Sequence, residues 1–186
     1  MRRTTSKLAL LSLVQAMVLM AQAPQPKPMP EIKAFDVLVG DWTLTGTAKD
    51  SPSDKEHPLT WRIHNHWILS GFAVQADQEW IESGITTKFL EVIYFDPAKK
   101  SVISTGHGHD GSSWISTLTI KGNTWFERGE TTLPDGKTAS FSGPWTLSSD
   151  HLSMTATLEQ EQDGSKWTSL RLKGTKAPLN PALTMP

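Results

Sequence analysis

From Gly40 onward the chain alternates apolar and polar residues, and turn signals interrupt this alternation about every ten residues. Asp110-Gly111, Asp135-Gly136 and Asp163-Gly164 are turn dipeptides of the kind that join two strands of a hairpin. Because successive side chains of a strand point to opposite faces, the pattern predicts strands with one buried face. The ten predicted strands lie at residues 42–45, 59–67, 72–76, 89–95, 102–109, 114–120, 125–130, 139–147, 152–158 and 167–173.

Many short strands in consecutive hairpins, with almost no helix, predict an all-β domain. An antiparallel up-and-down β-barrel is favoured over a sandwich because closing the sheet removes its exposed edges. One short helix is expected before the first strand. Ile32, Phe35 and Leu38 fall at helical spacing there, Pro30 suits its first turn, and Gly40 can end it.

The N-terminus has the order of features that is typical of an export signal. Arg2, Arg3 and Lys7 precede a mostly apolar run at residues 8–20, and Ala21-Gln22-Ala23 offers small residues for cleavage. An uncleaved membrane anchor is the alternative, but the run is short against the roughly 20 residues of a spanning helix. We therefore expect an exported protein, periplasmic or extracellular.

The predicted organisation has four parts: a signal peptide at residues 1–23, a Pro-rich tether at 24–30, one β-barrel domain at 31–176 and a C-terminal tail at 177–186. The predicted domain has a common size for a single domain and is large enough to be stabilised by its core. The chain has no cysteine, which excludes disulfides, thiolate metal sites and a cysteine nucleophile.

The charge balance argues against nucleic acid as a partner. Three of the 18 Lys and Arg and none of the 19 Asp and Glu precede Ala23, so the mature chain would carry a net charge of −4. No cluster of basic residues offers a phosphate-binding surface. No second long apolar run follows, so we expect no membrane span after the signal is removed. The oligomeric state stays open.

Gly40 and Trp42 form a Gly-x-Trp motif where the predicted helix meets the first strand. The motif resembles the first signature of the lipocalins and of the wider calycin superfamily, which are antiparallel barrels around a ligand cavity. The resemblance implies a calycin-like barrel in which an arginine of the last strand packs over this tryptophan. Arg171 is the matching residue, and such a contact contributes about 0.5–2 kcal/mol.

Through most of residues 31–173 the chain is also similar to a family of exported bacterial proteins that carry a domain of unknown function. The similarity rests on Phe35-x-x-Leu38-x-Gly40-x-Trp42, on the segment from His66 to Gly71, and on Tyr94-Phe95-Asp96 before a Lys-rich turn. It implies the same calycin-like barrel and transfers no catalytic residue.

The tryptophans are the candidate ligand-binding residues. Eight tryptophans are a high number for one small domain, and each combines a large apolar ring with one N–H donor. The residues predicted to line a cavity or close the barrel are Trp42, Trp61, Trp67, Trp114, Trp145 and Arg171. The alternative is that the rings only fill the core. Arg62 and Arg128 could meet a ligand carboxylate, but exposed positions are expected for both.

Two His-x-His pairs are the candidate metal ligands: His64 with His66, and His107 with His109. Residues two apart on a strand share a face, so each pair could offer two imidazoles to one ion. The apolar Trp61, Ile63 and Trp67 occupy the other face and should be buried, which would turn the first pair outward. A site that uses both pairs would need their strands to be neighbours.

Catalytic signals are weak. No Gly-x-Ser-x-Gly elbow, His-Glu-x-x-His pair or Gly-rich phosphate loop occurs. Acid pairs such as Glu127 with Glu130 are interpreted as solvated strand ends. We predict no catalytic residue and no cofactor, and a non-enzymatic protein is favoured. Haem held by His151, as in a neighbouring calycin branch, is a minor alternative. Haem needs an apolar pocket around its histidine, whereas the alternation of this strand is expected to turn His151 away from the interior.

These observations predict an exported small β-barrel that binds a small, partly apolar molecule. The first alternative is a metal-binding protein or metal-dependent enzyme that uses the two His-x-His pairs. The second is a structural or interaction barrel whose interior is filled by side chains.

Overall fold

The computed structural model describes residues 26–178. An α-helical turn, α1 (Pro30–Lys33), continues as a 3-10 helix at Ala34–Leu38, and a second 3-10 turn lies at Leu69–Gly71. Ten strands make up the rest: β1 (Gly40–Ala48), β2 (His57–Ile68), β3 (Ala73–Glu82), β4 (Ile85–Asp96), β5 (Ser101–Gly108), β6 (Ser113–Lys121), β7 (Thr124–Thr132), β8 (Thr138–Leu147), β9 (Ser153–Gln162) and β10 (Ser165–Lys176).

The strands form one closed antiparallel barrel in which each strand pairs with its neighbours in sequence. The ring closes where β1 pairs with β10, from Trp42 opposite Lys176 to Ala48 opposite Leu170. The prediction of an up-and-down barrel of about ten strands after one short helical segment is confirmed. The predicted signal peptide lies outside the described residues, as does most of the predicted C-terminal tail. Between residues 26 and 178, no helix is long and apolar enough to span a bilayer.

The helical segment plugs one end of the barrel. Ile32 and Phe35 are almost completely buried, and the ring of Phe35 meets that of Trp125 edge to face, with centroids 6.1 Å apart. Ile32 and Phe35 belong to the same apolar core as Leu38, Trp42 and Leu44.

Two predicted site residues, Trp42 and Trp67, hold this plug in place. The indole N–H of Trp42 donates to the carbonyl of Leu38 over 2.8 Å, and that of Trp67 donates to Oδ1 of Asp36 over 2.8 Å. The ammonium of Lys33 lies 4.5 Å from the ring centroid of Trp67. Both tryptophans therefore bond the first strands to the helical segment.

The expectation that Arg171 packs over Trp42 is wrong. Arg171 is exposed and pairs with Thr47, five residues along β1 from Trp42, which is about 17 Å of strand. The cation over the indole is Lys176, whose Nζ lies 5.6 Å from the ring centroid. Lys176 also donates to the carbonyl of Val37 over 3.0 Å. The last residue of β10 thus ties the closing seam to the plug.

Candidate functional site

A cavity of about 650 Å³ fills the barrel above the plug. Leu38 forms part of its floor, and Ile93, Leu118 and Met154 add apolar walls. At the opposite end the lining residues come from the connections between strands, including Asp50 after β1 and Asp110 after β5. The interior is therefore accessible from the end that the helical segment does not close.

A row of aromatic rings from β2, β3, β4, β6 and β8 runs through the cavity. Trp61 stands between Trp80 and Trp145, with ring centroids 5.4 Å and 5.7 Å away. Trp80 is followed by Phe89 at 6.4 Å, and Phe89 by Trp114 at 5.8 Å. These are ordinary tilted and edge-to-face separations. The row offers an extended apolar surface to any molecule inside.

Gly106 makes room for the end of this row. A Cβ atom at Gly106 would overlap the six-membered ring of Trp114. Residue 106 faces the cavity from β5 and lies opposite Trp114 of β6. The missing side chain therefore serves the packing of a cavity wall, and Trp114 can lie flat against the sheet.

Two carboxylates lie inside the barrel, and the first belongs to Glu91 of β4. Its Oε1 accepts from the hydroxyl of Ser104 and its Oε2 from the amide of Gln78, each over 2.5 Å. The Ser104 hydroxyl in turn accepts from the indole N–H of Trp114 over 3.2 Å. The pKa of Glu91 is raised to about 7: burial is the main cause, the Glu127 carboxylate acts in the same direction, and the two hydrogen bonds act against both.

The second interior carboxylate is Glu127 of β7. Its Oε1 accepts from the hydroxyl of Ser116 over 2.6 Å, and its Oε2 from the indole N–H of Trp145 over 2.8 Å. Burial raises the pKa of Glu127 above its usual value, against the effect of these two hydrogen bonds. The interpretation of Glu127 as a solvated strand end is wrong: only 7% of the residue is exposed.

The carboxylates, hydroxyls and indoles form one polar belt across six neighbouring strands. Ser104 and Ser116 face each other on β5 and β6, so the groups bonded to Glu91 and Glu127 adjoin. Two further polar atoms beside the cavity are buried and have no hydrogen-bond partner among the described residues: Nε1 of Trp61 and Oε1 of Gln78. Such atoms carry a desolvation cost that a bound molecule can remove.

The structure brings together three of the predicted ligand-binding residues, Trp61, Trp114 and Trp145, which all line the cavity. Trp42 and Trp67 belong to the plug, and Arg171 lies outside. Sequence reasoning missed Trp80, Trp125, Glu91 and Glu127. A signal was present for the last two: Glu91 lies two residues from both Phe89 and Ile93, and Glu127 two residues from Trp125, so each shares a face with an apolar neighbour.

The four paired histidines lie on the outer face of the barrel. His64 and His66 stack with ring centroids 5.3 Å apart, and Nδ1 of His64 lies 2.6 Å from Oδ1 of Asp41. His107 and His109 are exposed on and just after β5. Because β2 and β5 are separated by two strands, the two pairs lie about 14 Å apart. The structure therefore does not bring them to one ion.

The other polar candidates also face away from the cavity. Arg62 and Arg128 point outward as expected, and Arg62 lies 3.7 Å from Glu79. His151 occupies a left-handed turn position, with φ of 58°, and is 3.4 Å from Oδ1 of Asn123. It does not line the cavity described above.

A different group at the cavity mouth has the composition of a metal site. Asp50, His57 and Glu82 each offer one ligand atom, and these atoms lie within 4.8 Å of one another. His57 already contacts Glu82 as an ion pair. Small side-chain rotations would bring the three atoms to about 2 Å from one ion. Sequence reasoning missed this group because Glu82 joins Asp50 and His57 only through the pairing of β2 with β3.

Comparison with known proteins places the fold. The structure is similar to the crystal structure of Rv2717c from M. tuberculosis, with a TM-score of 0.59 and 14% sequence identity. The match covers 82% of this chain and 100% of that chain. No protein-family model matches the chain, and no curated protein matches it. At this identity, the similarity establishes a shared barrel fold.

Proposed function

We propose that this protein is an exported, calycin-like β-barrel that binds a small, partly apolar molecule in its interior. The observation that carries the proposal is the cavity of about 650 Å³ lined by five tryptophans: Trp61, Trp80, Trp114, Trp125 and Trp145. Small-molecule sites are mostly apolar clefts of about 300–1,000 Å³ with a few polar groups that orient the ligand.

The unpaired atoms at the cavity wall support ligand binding over a filled structural barrel. Nε1 of Trp61 and Oε1 of Gln78 supply one donor and one acceptor without a partner. A barrel whose only role is to be packed would gain stability from partners for both atoms or from apolar residues in their place. Export is inferred from the pattern of residues 1–23, and the calycin-like character from the Gly40-x-Trp42 motif together with the barrel that follows it.

Closing the mouth is expected to abolish binding. Thr87 of β4 lines the cavity, whereas its neighbour Thr86 is exposed on the outer face. In Thr87→Trp the added indole would occupy the entrance. We expect the affinity for Nile red, a neutral apolar dye whose emission shifts in an apolar site, to fall at least about tenfold, which is about 1.4 kcal/mol.

The matched control is Thr86→Trp, which adds the same ring to the opposite face and should bind the dye like the unmodified protein. Fluorescence titration of the purified protein measures both. Failure of the unmodified protein to bind the dye, or equal binding by both variants, would contradict an interior site. Native mass spectrometry of the freshly purified protein would also reveal a molecule carried from the cell.

Metal binding is the second candidate function, and the Asp50, His57 and Glu82 group favours it. We expect calorimetric titration of the untagged protein with Zn²⁺ to show one site that His57→Ala weakens at least about tenfold, because one of three ligands is lost. Replacing both His64 and His66 by alanine is the control and should leave Zn²⁺ affinity unchanged. The opposite result would assign the metal to the outer His-x-His pair instead.

A further inference from the structure

Acidic residues far outnumber basic residues in the lining of the cavity. Six carboxylate residues line it, whereas Lys49 is the one basic residue among the described lining residues; the six are Asp50, Glu82, Glu91, Asp110, Glu127 and Asp135. The interior therefore provides a negative potential, which the low-dielectric walls concentrate. This negative potential disfavours the binding of anionic molecules and favours the binding of cationic ones.

Three of the four carboxylates near the mouth already have partners of their own. Glu82 contacts His57, Asp135 lies 2.8 Å from Nζ of Lys137, and Asp110 accepts from the hydroxyl of Ser112 over 2.7 Å. The deep pair differs, because Glu91 and Glu127 accept only from the neutral groups described above. In the described part of the chain neither of them forms an ion pair.

Buried carboxylates without a cation are rare, since an isolated charge loses its hydration when it is buried. Each oxygen of Glu91 and Glu127 accepts one hydrogen bond from the protein, and each retains a second lone pair. The belt thus holds two acceptor groups in fixed orientations with capacity for further donors. An ammonium group, which carries several N–H donors and one positive charge, satisfies both requirements.

The aromatic row adds a matching surface beside this pair. Trp145 donates to Glu127 and also lies against Trp61, while Trp114 belongs to the hydrogen-bond chain of Glu91 and lies against Phe89. The N–H edges of these two indoles therefore belong to the polar belt, while the rings themselves belong to the aromatic row. Indole faces attract cations as well as apolar groups.

From this arrangement we infer that the ligand is an organic cation: a flat, apolar body that lies along the aromatic row and bears a primary or secondary ammonium group held between Glu91 and Glu127. This inference rests on the proposed interior binding site and specifies its chemical class. Burial raises the pKa of both carboxyls, and a bound cation would offset the hydration that their charges lose.

Three compounds with one ring system and different end groups test the inference by calorimetric titration at about pH 8. They are naphthylmethylamine, which is charged, naphthylmethanol, which is neutral, and naphthoate, which is anionic. We expect the ammonium compound to bind at least about tenfold tighter than the alcohol, and naphthoate to bind most weakly.

Variants separate the carboxylates from the rest of the site. In the double variant Glu91→Gln, Glu127→Gln the amine and the alcohol should bind within about twofold of each other, because the amides keep the shape and lose the charge. Glu130→Gln is the matched control, since Glu130 lies three residues from Glu127 on the exposed face of the same strand. It should retain the full preference.

A second measurement needs no substitution. Lowering the pH from about 8 to about 5.5 should reduce the affinity for the amine at least about tenfold and leave the affinity for the alcohol unchanged. At the lower pH the carboxylates are protonated, whereas the amine stays charged. Glu91 and Glu127 are the titratable groups of the interior belt, and those at the mouth are Lys49, Asp50, His57, Glu82, Asp110 and Asp135.

Equal affinities for the amine and the alcohol in the unmodified protein, or a preference that survives the double variant, would overturn the inference. In either case Nile red would still bind, and the interior site would stand. Binding of Nile red without any binding of the amine would also overturn it. If Nile red and all three naphthyl compounds failed to bind, the site itself would be rejected.

Discussion

Replacement of Trp42 by alanine is expected to lower the free energy of unfolding by about 3–5 kcal/mol, the usual cost of removing a large buried ring. Trp42 is 1% exposed, donates to Leu38 in the plug and lies under the Lys176 ammonium at the closing seam. Its ring therefore lies where the plug meets the first strand, β1, and the last strand, β10. The loss would leave a void at the point where the three meet.

Urea unfolding of the purified protein measures this effect, and Trp42→Phe is the matched control. Phenylalanine keeps most of the apolar ring and loses the hydrogen bond, so about 1–2 kcal/mol is expected. The Leu38 carbonyl would still accept from the amide of Asn65, which lies 3.0 Å away. Equal stabilities of the alanine and phenylalanine variants would show that the ring does not hold the plug.

The second large effect is a fall in stability with rising pH that depends on the interior carboxylates. The unfolded chain releases the Glu91 proton near pH 4.5, whereas the folded protein holds it to about pH 7. Between these values the folded state binds the additional proton, so a rise in pH through this window removes stability. Glu91 alone accounts for up to about 3 kcal/mol, and Glu127 acts in the same direction.

The double variant Glu91→Gln, Glu127→Gln should lack this fall in stability with rising pH. We expect its free energy of unfolding to change less than that of the unmodified protein between about pH 5 and about pH 8, so that it becomes the relatively more stable protein at the higher pH. Urea unfolding at several pH values gives both curves. Glu130→Gln should follow the unmodified protein, and parallel curves for all three proteins would show that Glu91 and Glu127 ionise freely in the folded state.

The architecture was predictable from the sequence because it is encoded locally. Asp110-Gly111 and Asp163-Gly164 end strands where a hairpin needs them, and both glycines adopt positive φ values, 91° and 77°. Alternation identifies the buried face of a strand without knowledge of its partners. Local turns and a period of two are sufficient for a meander, in which neighbouring strands are also neighbours in the chain.

The interior acids could not be identified in the same way. Each shares a strand face with apolar neighbours, but acidic residues are almost never fully buried unless they are paired, so residue type favours solvent for both Glu91 and Glu127. What makes their burial tolerable is supplied by other strands: Ser104 and Gln78 for Glu91, and Ser116 and Trp145 for Glu127. Those partners become visible only when strands are aligned side by side.

The same reason explains the wrong choice of Arg171 over Lys176. A cation from the last strand lies over Trp42, but which residue supplies it depends on the register between β1 and β10. That register places Lys176 opposite Trp42, and no local pattern specifies it because the two strands are joined through the whole domain. Neither the type of this residue nor its position was therefore predictable from the motif.

Nine of the ten strand pairings join consecutive strands, and the tenth joins the first strand to the last. During synthesis each hairpin can therefore assemble as soon as its second half emerges, but β1 and β9 each keep one unsatisfied flank until β10 arrives. Until then the chain forms an open sheet with two unpaired edge strands, and such edges can pair with other chains. Closure of the barrel is consequently a late, long-range step. The final twelve residues of the sheet, β10, determine whether the domain closes on itself or pairs with other chains.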